Sequence, residues 1–408
     1  MTDHMAQDLS QALHVRQIDD GELILLITSE FSASQQTTAL EVVYGTPAVK
    51  ETPGSGVKDI SFDSLDRDFA LKVIYRKDNA VERIVRGPGL TDEALSRLTN
   101  RIDTDLRSGK NKVWREILLS EKPVCGHFSG GHFQILPMPL NAPRAGTGYL
   151  AGINARHPCI LEFQFTSSPN DHVRSFRAFR LGRDVALTLS ALLEGSIHLG
   201  RMSSRQHWVT RPPSPENAGT IEFLSEGYGY GGFPSESNEF SQIAGLPPLA
   251  AVEPQTYYTH VFSQSVGSLR VPSDLTERFK RSQGLAPEDR SRWLRACYWS
   301  HHSSDVVGYS FSAAYAALVL AIDALIPKEG KKKKSDFKSF VESHAQQTIG
   351  AGPLYGVRSD VLHGNHLLMF DRDPLPSGMT PGMNKARDDF EAMRQVARRV
   401  LVGWLEQT

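Results

Sequence analysis

LYGVRSDVLHGN, residues 354–365, sets Arg358 and His363 with four residues between them, in a run that mixes Leu and Val with polar side chains. The pattern predicts a helix over Tyr355–Leu362. Gly364 is its expected stop, because glycine readily takes the left-handed conformation that ends helices. Arginine keeps its charge and offers a planar fork suited to a phosphate. Histidine titrates near neutral pH and can serve as acid or base. On the residues alone a second reading stays open. Arg358 can pair with Asp360 or Asp323, and His363 can close a helix by bonding a carbonyl.

Just upstream, Val306–Ile322 carries no charge. Gly308, Tyr309, Ser310, Ser312 and Tyr315 leave it only moderately apolar. Asp323 cuts it short of the ~20 apolar residues a membrane span needs. The stretch therefore predicts a buried helix, capped at Ser304 or Asp305 and stopped by Pro327. Lys331, Lys332, Lys333 and Lys334 follow as a charged loop. Asp336–Gln347 predicts an amphipathic helix with Phe337, Phe340 and Val341 inward. Phe390, Met393, Ala397, Val400 and Trp404 line one face of a closing helix. Further upstream, Leu275–Ser282 reads as a short helix. Pro287 opens another, with Trp293, Leu294, Cys297 and Tyr298 on one face. Residues 256–408 thus predict an all-α bundle of four or five helices.

Taken in order, these pieces resemble a known family. They are a helix with aromatic and alanine content (Arg292–Ser300), an apolar helix ending Ala-Ile-Asp-Ala-Leu-Ile (Ala321–Ile326), then Leu-Tyr-x-x-Arg-Ser-x-x-x-His-Gly (Leu354–Gly364), then a long closing helix. The set looks like the HEPN superfamily, most closely its Apea-like branch. The family motif is Arg, four to six residues, then His, and Arg358 and His363 match it. The family often has Asn, Asp or His directly after the Arg, where this chain has Ser359 and then Asp360. It commonly has Glu where this chain has Asp323. The resemblance implies a HEPN-like bundle that forms a homodimer and acts as a metal-independent endoribonuclease in defence or stress. It makes Arg358 and His363 catalytic, with Ser359, Asp360 and Asp323 in support, and it needs no cofactor and no metal. On one ideal helix, residues five apart stand about 140° round from each other, so the family's answer is two copies converging on one phosphate. Lys331 to Lys334 could grip an RNA backbone and Tyr355 could stack on a base. Their plainer readings are a solvated loop and core packing. A non-catalytic HEPN module that binds RNA or protein, or only dimerises, is the alternative.

The preceding chain reads differently. Glu22–Ser29, Ala39–Tyr44, Phe69–Tyr75, Val81–Val85, Val113–Leu119, Phe133–Met138 and Ile160–Thr166 carry strand patterns. Thr91 caps a helical stripe through Leu95, Leu98, Ile102 and Leu106. Asn170 or Asp171 caps a second, through Phe176, Phe179, Val185, Leu189 and Leu193. The fold class expected is therefore an α+β module over residues 20–210, followed by the helical bundle. Residues 1–19 read as loose, and the Pro- and Gly-rich residues 211–255 as a connector. The module carries no motif of its own. By analogy with two-part HEPN proteins it would take an activating ligand or protein and gate the bundle.

Length fits two domains: the chain has 408 residues. Its formal net charge of −1 excludes a protein that binds nucleic acid through overall charge, so any such contact must be local. Cys125, Cys159 and Cys297 are widely spaced and suggest no disulfide framework, which fits the cytoplasm. The polar start MTDHMAQDLSQ has no signal-peptide core. Cys125 with His127 and His132, or His301 and His302 with His363 and His366, could hold a metal, but neither completes a zinc pattern. GYGYGG at Gly227–Gly232 lacks the spacing of a nucleotide-binding loop.

Overall fold

The structure, a computed structural model, describes the strands between residues 13 and 86, residues 109–139, 157–168, 171–193, 197–199, 207–211, 222–226, 234–259, 267–307, 310–327, 334–345 and 381–408, and isolated positions elsewhere. It divides into two compact units, Met1–Lys112 with Phe165–Arg180, and Val113–Gln164 with Leu181–Thr408.

The first unit holds a six-stranded sheet in the order β1-β2-β6-β5-β4-β3, built from β1 (Leu13–Ile18), β2 (Glu22–Ile27), β3 (Ala48–Glu51), β4 (Lys58–Asp63), β5 (Ala70–Tyr75) and β6 (Val81–Arg86). Neighbours run antiparallel, as short connections allow. The strands expected around Glu22, Phe69 and Val81 are present. β1 lies inside the stretch read as loose. Its LHVRQI pairs in full register with β2, from Leu13 opposite Ile27 to Ile18 opposite Glu22, and that pairing orders it. The expected strand Ala39–Tyr44 and the stripe from Leu95 to Leu106 lie outside the described residues.

The second unit is mixed α+β. Its sheet runs β11-β7-β10-β9-β8, with β14 also paired to β7. These strands are β7 (Lys110–Ser120), β8 (Phe128–Ser129), β9 (Phe133–Pro137), β10 (His157–Ser167), β11 (Ile197–Leu199) and β14 (Ser235–Ser237). Part of the expected connector is thus woven into the structure. β14 pairs with β7, and β12 (His207–Arg211) forms a hairpin with β13 (Glu222–Glu226). β15 (Ala250–Val252) pairs in parallel with β16 (Arg270–Pro272).

A buried carboxylate holds that segment down. Glu162, on β10, is fully buried. It accepts from Arg115 Nε on β7, from Gln134 Nε2 on β9, and from both the backbone N–H and the hydroxyl of Ser241. A buried charge persists only with such partners, and removing one leaves the rest uncompensated.

Seven helices are described: α1 (Asp171–Leu192), α2 (Pro254–Thr259), α3 (Leu275–Gly284), α4 (Pro287–Val306), α5 (Phe311–Leu325), α6 (Lys334–His344) and α7 (Pro381–Gln407). The C-terminal half of α1 is buried on every side, from Val185 through Leu192, as befits a helix apolar all round. On the sheet side, a Cβ at Gly182 would stand 3.0 Å from Phe163 and 3.1 Å from Glu116. On the other side, Thr188 accepts from Trp293 Nε1 of α4 at 3.3 Å. The sheet, α1 and α4 therefore stack as successive layers of one unit.

The remaining helices add to this core. Trp293 stacks on Trp404 of α7, with centroids 6.2 Å apart and planes 7° apart. Phe311 of α5 meets Phe390 of α7 edge-on. Phe279 of α3 meets Phe133 of β9 at 4.4 Å. Burying Trp293, Trp404, Phe390, Phe279 and Phe133 contributes roughly 1.5–3 kcal/mol each. The predicted inward face of α7 (Phe390, Met393, Ala397, Val400 and Trp404) is buried, and of the three residues expected inward on α6, Phe337 and Val341 are buried and Phe340 is half-buried.

One boundary differs from expectation. Ser304 and Asp305 do not cap α5; they lie within α4, which runs to Val306. The cap is Ser310, whose side chain accepts from the Ala313 N–H. The polar run Ser300–Asp305 stays helical because its side chains find partners: Ser303 Oγ donates to the Ala314 carbonyl at 2.8 Å, and His301 is held between Ser190 and Asp305.

Candidate functional site

The candidate site begins at the turn between α4 and α5. The first turn of α5 exposes backbone N–H groups with no partner inside the helix. Asp371 supplies one. Its carboxylate accepts from the Phe311 N–H at 2.9 Å, the Ser312 N–H at 2.7 Å and the Ser310 hydroxyl at 2.9 Å. The Leu368 N–H donates to Ser312 Oγ at 2.8 Å. Burial works to raise the Asp371 pKa, but the bonds from Ser312, Ser310 and Phe311 outweigh it and hold the carboxyl below its usual range. A carboxylate is also favoured at this positive end of a helix. So Leu368 and Asp371, which follow His363 closely in sequence, are fastened to the start of the most apolar helix.

Arg358, Ser359, Asp360, His363, Tyr355, Lys331, Lys332 and Lys333 lie outside the described residues, as does His366. Lys334 opens α6, and its side chain lies outside them too. Asp323 is described: it sits half-buried on α5 and is engaged by a partner.

The other sequence candidates are placed. Cys125 is exposed. His127 Nδ1 donates to the Pro247 carbonyl at 3.0 Å, and His132 Nδ1 donates to Gln164 Oε1 at 3.0 Å. Both histidines thus fasten loops beside the sheet. Among the described residues, no three His, Cys, Asp or Glu side chains are grouped as a metal site needs. Cys159 and Cys297 are fully buried, and burial pushes the Cys159 thiol up to about 12 and the Cys297 thiol well above its usual value. Thiols held protonated in the core are poor nucleophiles.

Two arrangements escaped the sequence reading. The first is Ser190–His301–Asp305. His301 Nε2 stands 3.3 Å from Asp305, so Nε2–H donates there and Nδ1 accepts from the Ser190 hydroxyl at 3.2 Å. The residue types match a hydrolase triad, but Ser190 is 1% exposed and His301 5%. No substrate reaches that hydroxyl, and the three serve as a polar tie between α1 and α4.

The second is an aromatic group on α4. Tyr298 and His302 lie with planes 3° apart and centroids 6.0 Å apart. Trp299 meets both edge-on, at 5.4 and 5.7 Å. The Arg183 guanidinium of α1 lies 5.8 Å from the Tyr298 ring centre. All three rings are half-exposed. The sequence reading put Tyr298 on the inner face with Trp293 and Cys297; those two are buried, whereas Tyr298 is at the margin. The doublet Tyr298-Trp299 with His302 one turn on was the signal available.

No family model, curated protein or solved structure matches this chain significantly. No helix among the described residues is long and apolar enough to cross a membrane.

Proposed function

We propose that this chain is a HEPN-type, metal-independent endoribonuclease whose reacting pair is Arg358 and His363. The observation that carries the reading is the ordered set of residues: the α4 sequence, the apolar α5 ending Ala321–Ile326, the Arg-x4-His pair, and the long α7. The fastening of Leu368 and Asp371 to α5 supports it, because it gives the segment after His363 a rigid anchor.

In the proposed reaction a ribose 2′-oxygen attacks the adjacent phosphorus, and the bond to the next nucleotide's 5′-oxygen breaks. A base takes the 2′ proton and an acid returns one to the leaving oxygen. The products carry a 2′,3′-cyclic phosphate and a 5′-hydroxyl. His363 is the acid–base group and Arg358 stabilises the crowded phosphate. A second copy of the chain supplies the second histidine. The N-terminal module, residues 20–210, is where an activating ligand or protein would act.

Loss of His363 is expected to slow cleavage of total RNA by about 10²- to 10⁴-fold, the usual worth of a general acid or base. The test compares the wild type with Arg358→Ala and His363→Ala, each checked for native circular dichroism. Intact RNA with wild type across candidate activators would sink the nuclease. Cleavage that survives both substitutions would sink the assignment of the site. The departures at Ser359 and Asp323 favour one second reading, a non-catalytic module that binds RNA or protein and dimerises.

A further inference from the structure

The aromatic group on α4 is absorbed neither by the core nor by the proposed chemistry. Arg295, Tyr298, Trp299 and His302 recur at helical spacing along α4, so they share one side of it. Arg183 joins them from α1. Trp299 and His302 meet each other and Tyr298, and Tyr298 also meets Arg183. Arg183 and Arg295 are exposed, and neither forms an ion pair among the described residues; Arg295 donates only to Ser291 Oγ at 2.9 Å. The acids on adjoining turns are engaged elsewhere: Asp184 faces Arg290 at 4.0 Å, and Asp305 holds His301. Exposed guanidinium charge with no carboxylate partner among the described residues, beside half-exposed ring planes, suits a polyanion that also carries flat bases.

We infer that Tyr298, Trp299 and His302, flanked by Arg183 and Arg295, form a stacking platform for unpaired bases of single-stranded RNA. The half-exposed rings offer π surface to a base, and the arginines neutralise adjoining phosphates. Such a platform grips RNA with little regard to sequence, because every base has a π face. The platform occupies the C-terminal half of α4. The inference rests on RNA being the substrate, and it concerns holding the strand, not breaking it. These residues are positioning residues.

The test measures binding of the full-length chain to a 2′-O-methyl oligonucleotide, which lacks the attacking hydroxyl, alongside cleavage of the matching RNA. Tyr298→Ala and Trp299→Ala are expected to weaken binding by about 5- to 150-fold each, the fold-change that loss of one stacked base brings. Trp299→Phe should restore most of it, and an abasic oligonucleotide should bind the wild type as weakly as Trp299→Ala binds the normal one. Saturating RNA should bring the Ala variants' cleavage rate near that of wild type. Unchanged binding in both Ala variants while wild type cleaves would overturn the platform and leave the nuclease standing. Platform-dependent binding without cleavage would uphold the platform and overturn the nuclease. A shift in oligomeric state with unchanged RNA affinity would assign the patch to a protein interface and overturn the inference.

Discussion

Asp371 shows how much one side chain can position. It closes the start of α5 with three accepted hydrogen bonds, although the residue lies some sixty positions away in sequence. Removing a helix cap costs about 0.5–2 kcal/mol. Asp371→Asn keeps one acceptor and loses the charge, so about 1 kcal/mol is expected from urea unfolding at pH 7. The pH dependence follows from the direction of the shift. The folded pKa lies below the ordinary 3.8, so the native state favours the ionised form. That stabilisation is present above pH 4 or so and is lost as pH falls through the folded pKa. The gap between wild type and variant should therefore close in acid; a gap that widens there would contradict the capping role. None of this could be read from sequence. An aspartate in a Pro- and Gly-containing stretch looks like a solvated loop residue, and its partner is known only once the chain folds back. The same holds for Glu162, which sits in the cleanly alternating strand ILEFQFT. Alternation reveals the strand but not the Arg115, Gln134 and Ser241 partners that let a carboxylate be buried in it.

At the scale of the element, periodicity was informative where one face is apolar. The stripe Phe390–Trp404 yields α7, and the run of Ala, Leu and Val yields α5, because burial of those faces dominates. Ends were harder. Ser304 and Asp305 look like a cap, since such side chains compete for backbone bonds. In the fold Asp305 is taken up by His301 and the neighbouring Ser303 by the Ala314 carbonyl, and α4 carries on to Val306. Close approaches are likewise silent in sequence. Gly403 sits within α7, about one turn before its end at Gln407, where glycine is ordinarily less favourable than alanine. Here a Cβ would stand 2.1 Å from the His344 carbonyl oxygen at the end of α6. Gly403→Ala should therefore destabilise the protein by about 1–3 kcal/mol, the usual price of overpacking. A thermal melt shows it directly: a lower midpoint is expected, and an unchanged or raised one would mean that α6 and α7 do not meet this way.

For the whole molecule, composition and patterning were enough to indicate an α+β chain ending in helices. They placed a seam at residues 211–255, whereas the second compact unit joins Val113–Gln164 and Leu181–Leu192 to the C-terminal helices. Sequence order hides this, because α1 is packed against residues far along the chain, from 66 to 111 positions away: Thr188 against Trp293, Ser190 against His301 and Leu192 against Tyr258. Residues 256–408 made alone would leave the α1-facing side of α4 open to water. We expect that fragment to unfold without a cooperative transition, while the full chain unfolds sharply. A fragment melting as sharply as the full chain would show that α1 is dispensable. The functional proposal rests on Arg358 and His363, and attack by the 2′-hydroxyl leaves a chemical record. The most direct measurement is an end-group analysis of RNA cleaved in excess chelator. The account predicts 2′,3′-cyclic phosphate and 5′-hydroxyl ends, produced by wild type and absent with His363→Ala. Ends bearing 5′-phosphate and 3′-hydroxyl, or cleavage that stops when chelator is added, would contradict it.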